Sequence, residues 1–414
     1  MAALGKILIA SLLGLFLLLL VYCLPVNSMS DNLVASVSLF EKEGQYPDLY
    51  NGYTSRLDNH TDAMMLLIAT NDSEKTALEK TLQNEQGGFT DSRDTVNTLI
   101  RHFGAGEPYE EEIEYARYWH GAQVLLKPLL LFFSYPQIRI INCIFQLLFM
   151  IITFFLMWKK HAWQMIPVLI MTYVMMMPPV IWRSLQFSAC FYGMMIGVFL
   201  VLILSGSNQN RIRDGFLLAG LITAYLDLLT YPLITFGVPA SIWLFLNRGE
   251  KTRTNMKHLF LNALYWGFGY GCMWAMKWVW GTMFTGTDII SDALEALLVR
   301  TSRGDDESAV TALNTIRINC LVFASPLLKW LAAYALVLLG ISAWKIIRGQ
   351  RQVIISRYFL YIVIFALPFL WYSFAVNHSY IHSFFTHKLL AVSVCALITG
   401  LTDLAVSLRD SKSG

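Results

Sequence analysis

Long apolar runs recur along the whole chain and constrain its fold more than any other feature. A helix needs about 20 apolar residues to cross the roughly 30 Å hydrocarbon core of a bilayer, where every backbone polar group must be paired internally. The runs predict about ten transmembrane helices in one all-α membrane domain that covers residues 1–414. Their predicted positions are 6–24, 138–157, 163–181, 187–205, 215–229, 233–246, 259–281, 327–345, 358–376 and 389–406.

The composition excludes most soluble classes of protein. Only 14% of the 414 residues are charged, against about 25% in a typical soluble domain. The net charge of +3 is too small to indicate binding to nucleic acid. The six cysteines are scattered without a CxxC pair, which is typical of core residues rather than of disulfides or metal ligands. The first apolar run is long for a signal peptide and predicts an anchored helix.

The positions of the basic residues predict the orientation in the membrane. If the amino terminus is cytoplasmic, lysine and arginine concentrate in the inner loops, as the positive-inside rule requires. These residues are Lys159, Lys160, Arg211, Arg213, Arg248, Lys251, Arg253, Lys257, Lys345, Arg348, Arg351 and Arg357, with Arg409 and Lys412 in the tail. The sequence therefore predicts a multi-pass protein of the cell membrane with both termini cytoplasmic.

Two long segments are then extracytoplasmic, residues 25–137 and 282–326. In the first, residues 62–70 and 73–82 are predicted as short helices, the former capped by Asp58 or Thr61. In the second, Ile289 to Val299 has the pattern of an amphipathic helix in the membrane interface.

The first of four polar clusters lies at the approach to the second predicted span. It consists of Glu112, Glu114, Arg117, Tyr118, Trp119, His120 and Lys127. A carboxylate here could act as a general base, the two cations could bind phosphate, and the aromatic rings could bind a sugar or a lipid. The alternative is a solvated acidic helix start followed by an aromatic belt.

The second cluster is the pair Asp58 and Asp62, which would share one face of a helix because they are four residues apart. Two carboxylates so placed could hold a divalent cation, Mg²⁺ or Mn²⁺, or supply a catalytic base. Helix capping explains either of them equally well.

The third and fourth clusters lie in breaks between apolar runs. Asp227 precedes Tyr231 in such a break and needs a partner, for which Lys277 and Arg183 are candidates. A structural ion pair is the alternative there. The fourth cluster consists of Asn377, His378 and His382. Its histidines would share a helix face and suit a proton relay, a metal ion or, as the favoured choice, hydrogen bonds to lipid or substrate phosphate.

All four clusters, together with Arg300 and Arg303, fall on the predicted outer face, which favours an outward-facing reaction site for a lipid-linked substrate. A transporter or flippase of a lipid-linked or anionic solute would show polar breaks near the midplane and an internal repeat. That alternative and a non-catalytic membrane protein stay open.

Two elements resemble the GT-C class of multi-pass glycosyltransferases, which includes protein mannosyltransferases and the lipid A aminoarabinose transferase. The first is Glu114-Tyr-Ala-Arg117-Tyr118, and the second is Lys127-Pro128-Leu129 with the run at Arg139. The resemblance covers roughly the first half of the chain. The stretches LDNxTDAxML, YARYWHG, DxLTYP and NHSxIHxFFT are also similar to those of a family of bacterial integral membrane proteins.

The resemblance implies a GT-C-like membrane enzyme that transfers a sugar from a polyprenyl-phosphate donor to a cell-envelope acceptor at the outer face. Its partners would be membrane lipid and the lipid-linked sugar. One carboxylate would be the base, and the acid pair usual in the class is missing from the Arg-Tyr element, so Asp58, Asp62, Glu112 and Glu114 all stay candidates. Arg117, Lys127, Lys277 and His382 would stabilise the leaving phosphate.

Overall fold

A computed structural model describes residues 2–50, 52–302, 310–323, 328–347 and 355–410. The first part of the chain forms α1 (Ala2–Tyr22), α2 (Asn27–Val34), α3 (Val37–Glu43), α4 (Asn59–Ala69), α5 (Ala77–Gln83), β1 (Gln86–Gly88), α6 (Thr95–Leu99), β2 (Glu111–Ile113) and α7 (Gln123–Leu130). The second part forms α8 (Tyr135–Lys159), α9 (Met165–Met175), α10 (Pro178–Ile181), α11 (Leu185–Leu204), α12 (Gln209–Leu226), α13 (Ile234–Leu246), α14 (Thr252–Thr285), α15 (Ile289–Thr301), α16 (Ala312–Phe323), α17 (Leu328–Ile347), α18 (Ile355–Phe374), α19 (Val376–Ile381), α20 (Ser383–Thr386) and α21 (Leu390–Asp410).

Within the described residues, four helical segments are long and apolar enough to cross a membrane. They are Ala3–Tyr22, Tyr135–Lys159, Leu185–Leu204 and Ser383–Val406. Shorter apolar helices occur at Met165–Met175, Ile234–Leu246, Ala312–Phe323, Ala332–Ile341 and Tyr358–Phe374. The predicted all-α class is therefore confirmed, while the number of ten spans and the orientation of the termini stay predictions.

A turn divides the predicted apolar run 163–181, and another separates the helices of the runs 215–229 and 233–246. In 163–181, α9 ends at Met175, Met177 adopts a left-handed backbone with φ of 63°, and α10 starts at Pro178. Proline lacks the amide hydrogen that would continue a helix. Between 215 and 246, α12 and α13 meet at a turn around Asp227, as the sequence predicts.

Helices α12 and α14 approach each other so closely that two contact positions require glycine. A Cβ on Gly220 would lie 2.1 Å from the Trp266 carbonyl oxygen, and one on Gly269 would lie 2.4 Å from the Leu217 carbonyl oxygen. Small residues at such positions let helix backbones pack directly in membrane proteins. The backbones of α12 and α14 are therefore in direct contact at these two positions.

Residues 25–137, which the sequence predicts to be extracytoplasmic, are called the outer segment here. This segment packs on other helices rather than standing apart. Its helices, together with residues of α1, α12 and α14, share one apolar core that includes Leu18, Phe40, Leu66 and Trp119. Strands β1 and β2 form a two-stranded antiparallel sheet in which Gln86 pairs with Ile113.

Three predicted outer helices are present, and two of them start elsewhere than predicted. Of the two predicted caps of α4, Asp58 is the one observed: it accepts a hydrogen bond from the Thr61 amide, and the helix starts at Asn59. Helix α5 starts later than predicted because Thr76 and Glu79 form a capping box there. Helix α15 covers the predicted interfacial helix. Arg303, Arg348, Arg351, Lys412 and part of 282–326 lie outside the described residues.

Candidate functional site

Asp62 joins the outer segment to the start of α11. Its buried carboxylate accepts hydrogen bonds from the Tyr135 hydroxyl at 2.5 Å and the Ser184 hydroxyl at 3.2 Å. The amides of Leu185 and Gln186 donate to it at 2.9 and 3.1 Å. Burial raises the pKa of Asp62, and these hydrogen bonds oppose that rise. A carboxylate at a helix N-terminus pairs amides that have no partner within the helix, so Asp62 is occupied as an anchor.

Two buried lysines donate hydrogen bonds to carbonyl groups at the C-terminal ends of helices α4 and α5. Lys127 donates to the Ala69 carbonyl oxygen at the end of α4, at 2.5 Å. Lys277 donates to the carbonyl oxygens of Thr81 and Leu82 in α5, at 3.1 and 2.7 Å. Cations at helix C-termini complement the helix dipole. Burial, with a contribution from Lys80, lowers the pKa of Lys127 to about 8. Lys277 therefore contacts backbone carbonyl groups rather than Asp227.

The two candidate arginines also have protein partners. Arg117 forms an ion pair with Asp292 of α15 at 2.8 Å, which ties the outer segment to that helix. Arg183 lies 4.1 Å from the centre of the Trp182 ring and donates weakly to the Pro179 carbonyl oxygen at 3.4 Å. Arg183 thus packs against its own turn.

Glu112 lies in β2, and Glu114 follows it. Glu112 accepts a hydrogen bond from the side-chain amide of Asn71 at 2.9 Å, and Glu114 accepts one from the side-chain amide of Gln83 at 3.0 Å. Burial raises the pKa of Glu112. Lys75 lies 3.9 Å from Glu114. The two glutamates are therefore held by side chains next to the two-stranded sheet.

Asp58 differs from the other acids in its surroundings. The carboxylate is 3% exposed and accepts hydrogen bonds from the Thr61 amide and the Thr61 hydroxyl, both at 3.0 Å. Burial raises its pKa to about 7, and the charge of Asp62 contributes to the rise. Tyr46 lies close enough for the charge of Asp58 to raise the pKa of its hydroxyl. A carboxyl group with a pKa near neutrality is suited to accept a proton.

Aromatic contacts connect the surroundings of Asp58 to the segment after α18. The Tyr46 ring stacks on His60 at 6.1 Å and meets the edge of Phe384 in α20 at 5.6 Å. The His60 ring nitrogen Nδ1 lies 2.9 Å from the Gln45 side-chain amide. Burial lowers the pKa of His60, so its ring is held neutral.

The histidines of the fourth cluster lie together, as predicted. The ring centres of His378 and His382 are 4.9 Å apart. His378 Nε2 lies 2.8 Å from the Leu229 carbonyl oxygen, so this nitrogen carries the proton and donates. Burial and the charge of Arg300 lower the pKa of His382 to about 4. Asn377 donates to the Val299 carbonyl oxygen of α15 at 3.0 Å.

Asp227 organises the turn that presents Leu229 to His378. Its carboxylate is buried and accepts hydrogen bonds from the Thr230 amide at 3.0 Å and from the Cys190 thiol at 3.2 Å. Leu229 has a positive φ of 66°, which is strained for a residue with a Cβ. Nearby, the buried Tyr231 hydroxyl donates to the Phe187 carbonyl oxygen. The third and fourth clusters are therefore physically connected.

Tyr118 connects the first cluster to the same region. Its ring meets Trp274 at 5.0 Å, and the Arg300 guanidinium lies 5.6 Å from its centre. The charges of Arg300 and Asp227 both act on its hydroxyl. We call Tyr118, Tyr270, Trp274, Arg300, His378 and His382 the outer cluster, since the charge of Arg300 reaches every titratable member of it.

The remaining residues of the first cluster are structural. The buried Trp119 indole donates to the Met273 carbonyl oxygen at 2.7 Å. His120 has a positive φ of 52°, and burial together with the charge of Lys277 lowers its pKa to about 3. The next amide, of Gly121, donates to the Tyr225 carbonyl oxygen at 2.8 Å. These contacts fix the path of the chain past α12.

The described residues contain no group of three or more His, Cys, Asp or Glu side chains placed to hold a metal ion. The pair Asp58 and Asp62 does not suit a divalent cation, because the oxygens of Asp62 are directed at four protein donors.

Sequence reasoning did not include Tyr270 and Trp274 among the site residues. A signal existed, since aromatic residues recur every four positions along α14 at Trp266, Tyr270, Trp274 and Trp278. Successive ring centres in this row lie 5.2, 5.9 and 6.0 Å apart.

No protein-family model, curated protein or solved structure matches the chain. A functional assignment therefore depends on the geometry of these residues.

Proposed function

We propose that this protein is a multi-pass membrane glycosyltransferase of the GT-C type, with about ten spans and both termini cytoplasmic. It would transfer a sugar from a polyprenyl-phosphate donor to a cell-envelope acceptor at the outer face. The observation that carries the proposal is Asp58, a buried carboxyl group whose pKa is raised to about 7. Perturbed acids of this kind concentrate at catalytic sites.

The position of Asp58 supports its role as the base. It caps the start of α4, and its charge acts on Tyr46, whose ring contacts both His60 and Phe384 of α20. Asp62 is occupied by the start of α11, and Glu112 and Glu114 are bonded to the side chains of Asn71 and Gln83. Among the four candidate acids, Asp58 is the buried one whose hydrogen bonds, in the described part of the structure, come only from its own turn, from Thr61.

The proposed reaction needs only a proton acceptor and a bound donor. Asp58 takes the proton of the acceptor hydroxyl, and the acceptor oxygen forms a bond to the anomeric carbon of the sugar. The bond from that carbon to the phosphate oxygen breaks, and polyprenyl phosphate leaves with the electron pair. General-base catalysis of this kind contributes about 10²- to 10⁴-fold to a rate.

Replacement of Asp58 tests the proposal. We expect Asp58→Asn to reduce sugar transfer in isolated membranes by at least about 100-fold, because the amide cannot accept the proton. The measurement is transfer of radiolabel from a panel of polyprenyl-phosphate sugars to envelope material. Asp31→Asn is the matched control, since Asp31 is an exposed acid of the same outer segment.

Protein abundance and melting temperature in detergent should be measured for both variants. Transfer by a folded Asp58→Asn variant at the wild-type rate would remove the proposed base. Movement of a lipid-linked solute across proteoliposome membranes, without sugar transfer and without dependence on Asp58, would favour a transporter instead.

A further inference from the structure

Most basic side chains near the outer cluster already have partners within the protein. Lys127 and Lys277 bind carbonyl groups at helix ends. Arg117 pairs with Asp292, and Arg139 pairs with Glu43, each at 2.8 Å. These contacts leave such residues little capacity to bind a ligand.

Arg300 is different. Across the described residues, no carboxylate lies within ion-pair distance of it, and its guanidinium faces the Tyr118 ring at 5.6 Å. Its charge acts on Tyr270, His378 and His382 around it. A half-buried arginine without an anion, next to neutral histidines, is suited to receive an anion from outside the protein.

Two further donors in the outer cluster have no partner. The Tyr270 hydroxyl and the Trp274 indole nitrogen are buried, and within the described part of the chain neither makes a hydrogen bond. Their rings are 5.9 Å apart, and Trp274 contacts Tyr118, which lies beneath Arg300. An unpaired buried donor costs about 1–3 kcal/mol, so two unpaired donors on neighbouring rings are expected where a ligand completes the hydrogen bonding.

Helix α15, which the sequence predicts to lie in the membrane interface, carries Arg300 in its last turn. Leu294 and Leu298 on this helix are 48% and 69% exposed, as suits an apolar edge in the membrane interface. The ion pair of Arg117 with Asp292 and the hydrogen bond of Asn377 to Val299 hold the helix in place. A lipid whose tail lies beside that edge would bring its headgroup close to Arg300.

We propose that Arg300, with the Tyr270 hydroxyl and the Trp274 indole, binds the phosphate group of the lipid-linked substrate. This inference rests on the proposed function, because it names the phosphate subsite of the same site. It also reassigns Arg117, which becomes a positioning residue that acts through Asp292 and α15.

The test is binding of a polyprenyl phosphate to the full-length protein in nanodiscs, followed by native mass spectrometry. We expect Arg300→Gln to weaken binding at least about tenfold, since a hydrogen bond to a charged group is lost. Arg300→Lys should be intermediate. Tyr270→Phe and Trp274→Phe should each weaken binding several-fold. Arg93→Gln is the control, because Arg93 is an exposed arginine of the outer segment paired with Glu111.

Two competitors distinguish the source of the phosphate. Polyprenol, which lacks the phosphate, should bind poorly, and a soluble sugar phosphate should compete weakly. Strong competition by the soluble compound would keep the phosphate subsite and assign it to a soluble donor. Binding of polyprenol as tight as that of polyprenyl phosphate would overturn the proposal, as would wild-type affinity in a folded Arg300→Gln variant. If that variant fails to fold, the Tyr270→Phe and Trp274→Phe variants decide.

Failure of this inference and failure of the proposed function give different results. Arg300-dependent phosphate binding without any sugar transfer would remove the glycosyltransferase function and keep the subsite. Sugar transfer by Arg300→Gln with an unchanged KM would remove the subsite and keep the function.

Discussion

Asp58 and Asp62 lie four residues apart on α4 and have opposite surroundings. Asp62 receives four hydrogen bonds from residues of α8 and the start of α11, whereas Asp58 accepts hydrogen bonds from Thr61 alone among the described residues. Two carboxyl groups whose environments differ in this way are suited to different roles. Asp62 anchors the outer segment, and Asp58 keeps the capacity to take up a proton.

We expect kcat/KM for sugar transfer to rise with pH and to level off above the pKa of Asp58, about 7. The reason is that a general base acts only in its ionised form, so each pH unit below the pKa lowers the rate about tenfold. A pH profile of transfer in membranes measures this. A flat profile across this range would contradict the role of Asp58.

Asp58 also makes the free energy of unfolding depend on pH, and its raised pKa sets the direction of that dependence. Burial raises its pKa from 3.8 to about 7, so the folded state favours the protonated carboxyl. Its contribution to the free energy of unfolding is therefore fully present below 3.8 and is lost as the pH rises to about 7. The difference in melting temperature between wild type and Asp58→Asn should change across this window and stay constant above it.

At the scale of elements, helix ends explain the buried charges. Asp62 pairs the first amides of α11, Lys127 the last carbonyl groups of α4, and Lys277 those of α5. Each charged side chain belongs to one helix and pairs backbone groups at the end of another. Asp62 and Lys277, which the sequence predicts to bind ligand, thus hold the outer segment onto α11 and α14, whereas Lys127 joins α7 to α4 within that segment.

The close contact of α12 with α14 predicts that replacing two glycines by alanine will have different effects on the melting temperature. Gly220→Ala should lower the melting temperature by several degrees, because its Cβ would overlap the backbone of Trp266, at a cost of about 1–3 kcal/mol. Gly267→Ala on α14 is the control, since no atom lies within 4 Å of its Cβ position. Thermal unfolding in detergent measures both. Equal melting temperatures for the two variants would contradict the close approach.

Local patterns could be predicted from the sequence, but long-range pairings could not. The cap at Asp58, helix α15 and the shared face of His378 and His382 follow from nearby residues. The partners of Lys277 are carbonyl groups 195 and 196 residues away. Because any residue supplies a carbonyl group, such a partner leaves no pattern in the sequence.

At the scale of the whole molecule, the four polar clusters can contribute to one site only if they lie on the same side of the membrane. Tyr118 of the first cluster and His382 of the fourth lie near Arg300, and the turn at Asp227 contacts His378 through the Leu229 carbonyl oxygen, although the sequence separates them widely. The orientation predicted from the basic residues would place all of them outside.

Single cysteines at two turns test that orientation in a background without native cysteines. We expect Asp91→Cys, in the outer segment, to react with a membrane-impermeant maleimide in intact spheroplasts. Ser207→Cys, between α11 and α12, should react only after permeabilisation. The reverse pattern would contradict the orientation and an outward-facing site.

The anchoring of Asp62 has a consequence for biosynthesis. Its partner Ser184 lies 122 residues later, and Lys277 lies 195 residues after Leu82. At about 5–20 residues per second, the ribosome needs roughly 10–40 s to deliver Lys277 after Leu82. Over that interval the outer segment lacks the partners that cap its helix ends and cover its apolar surface, so we expect it to complete its folding only after the later helices have been made.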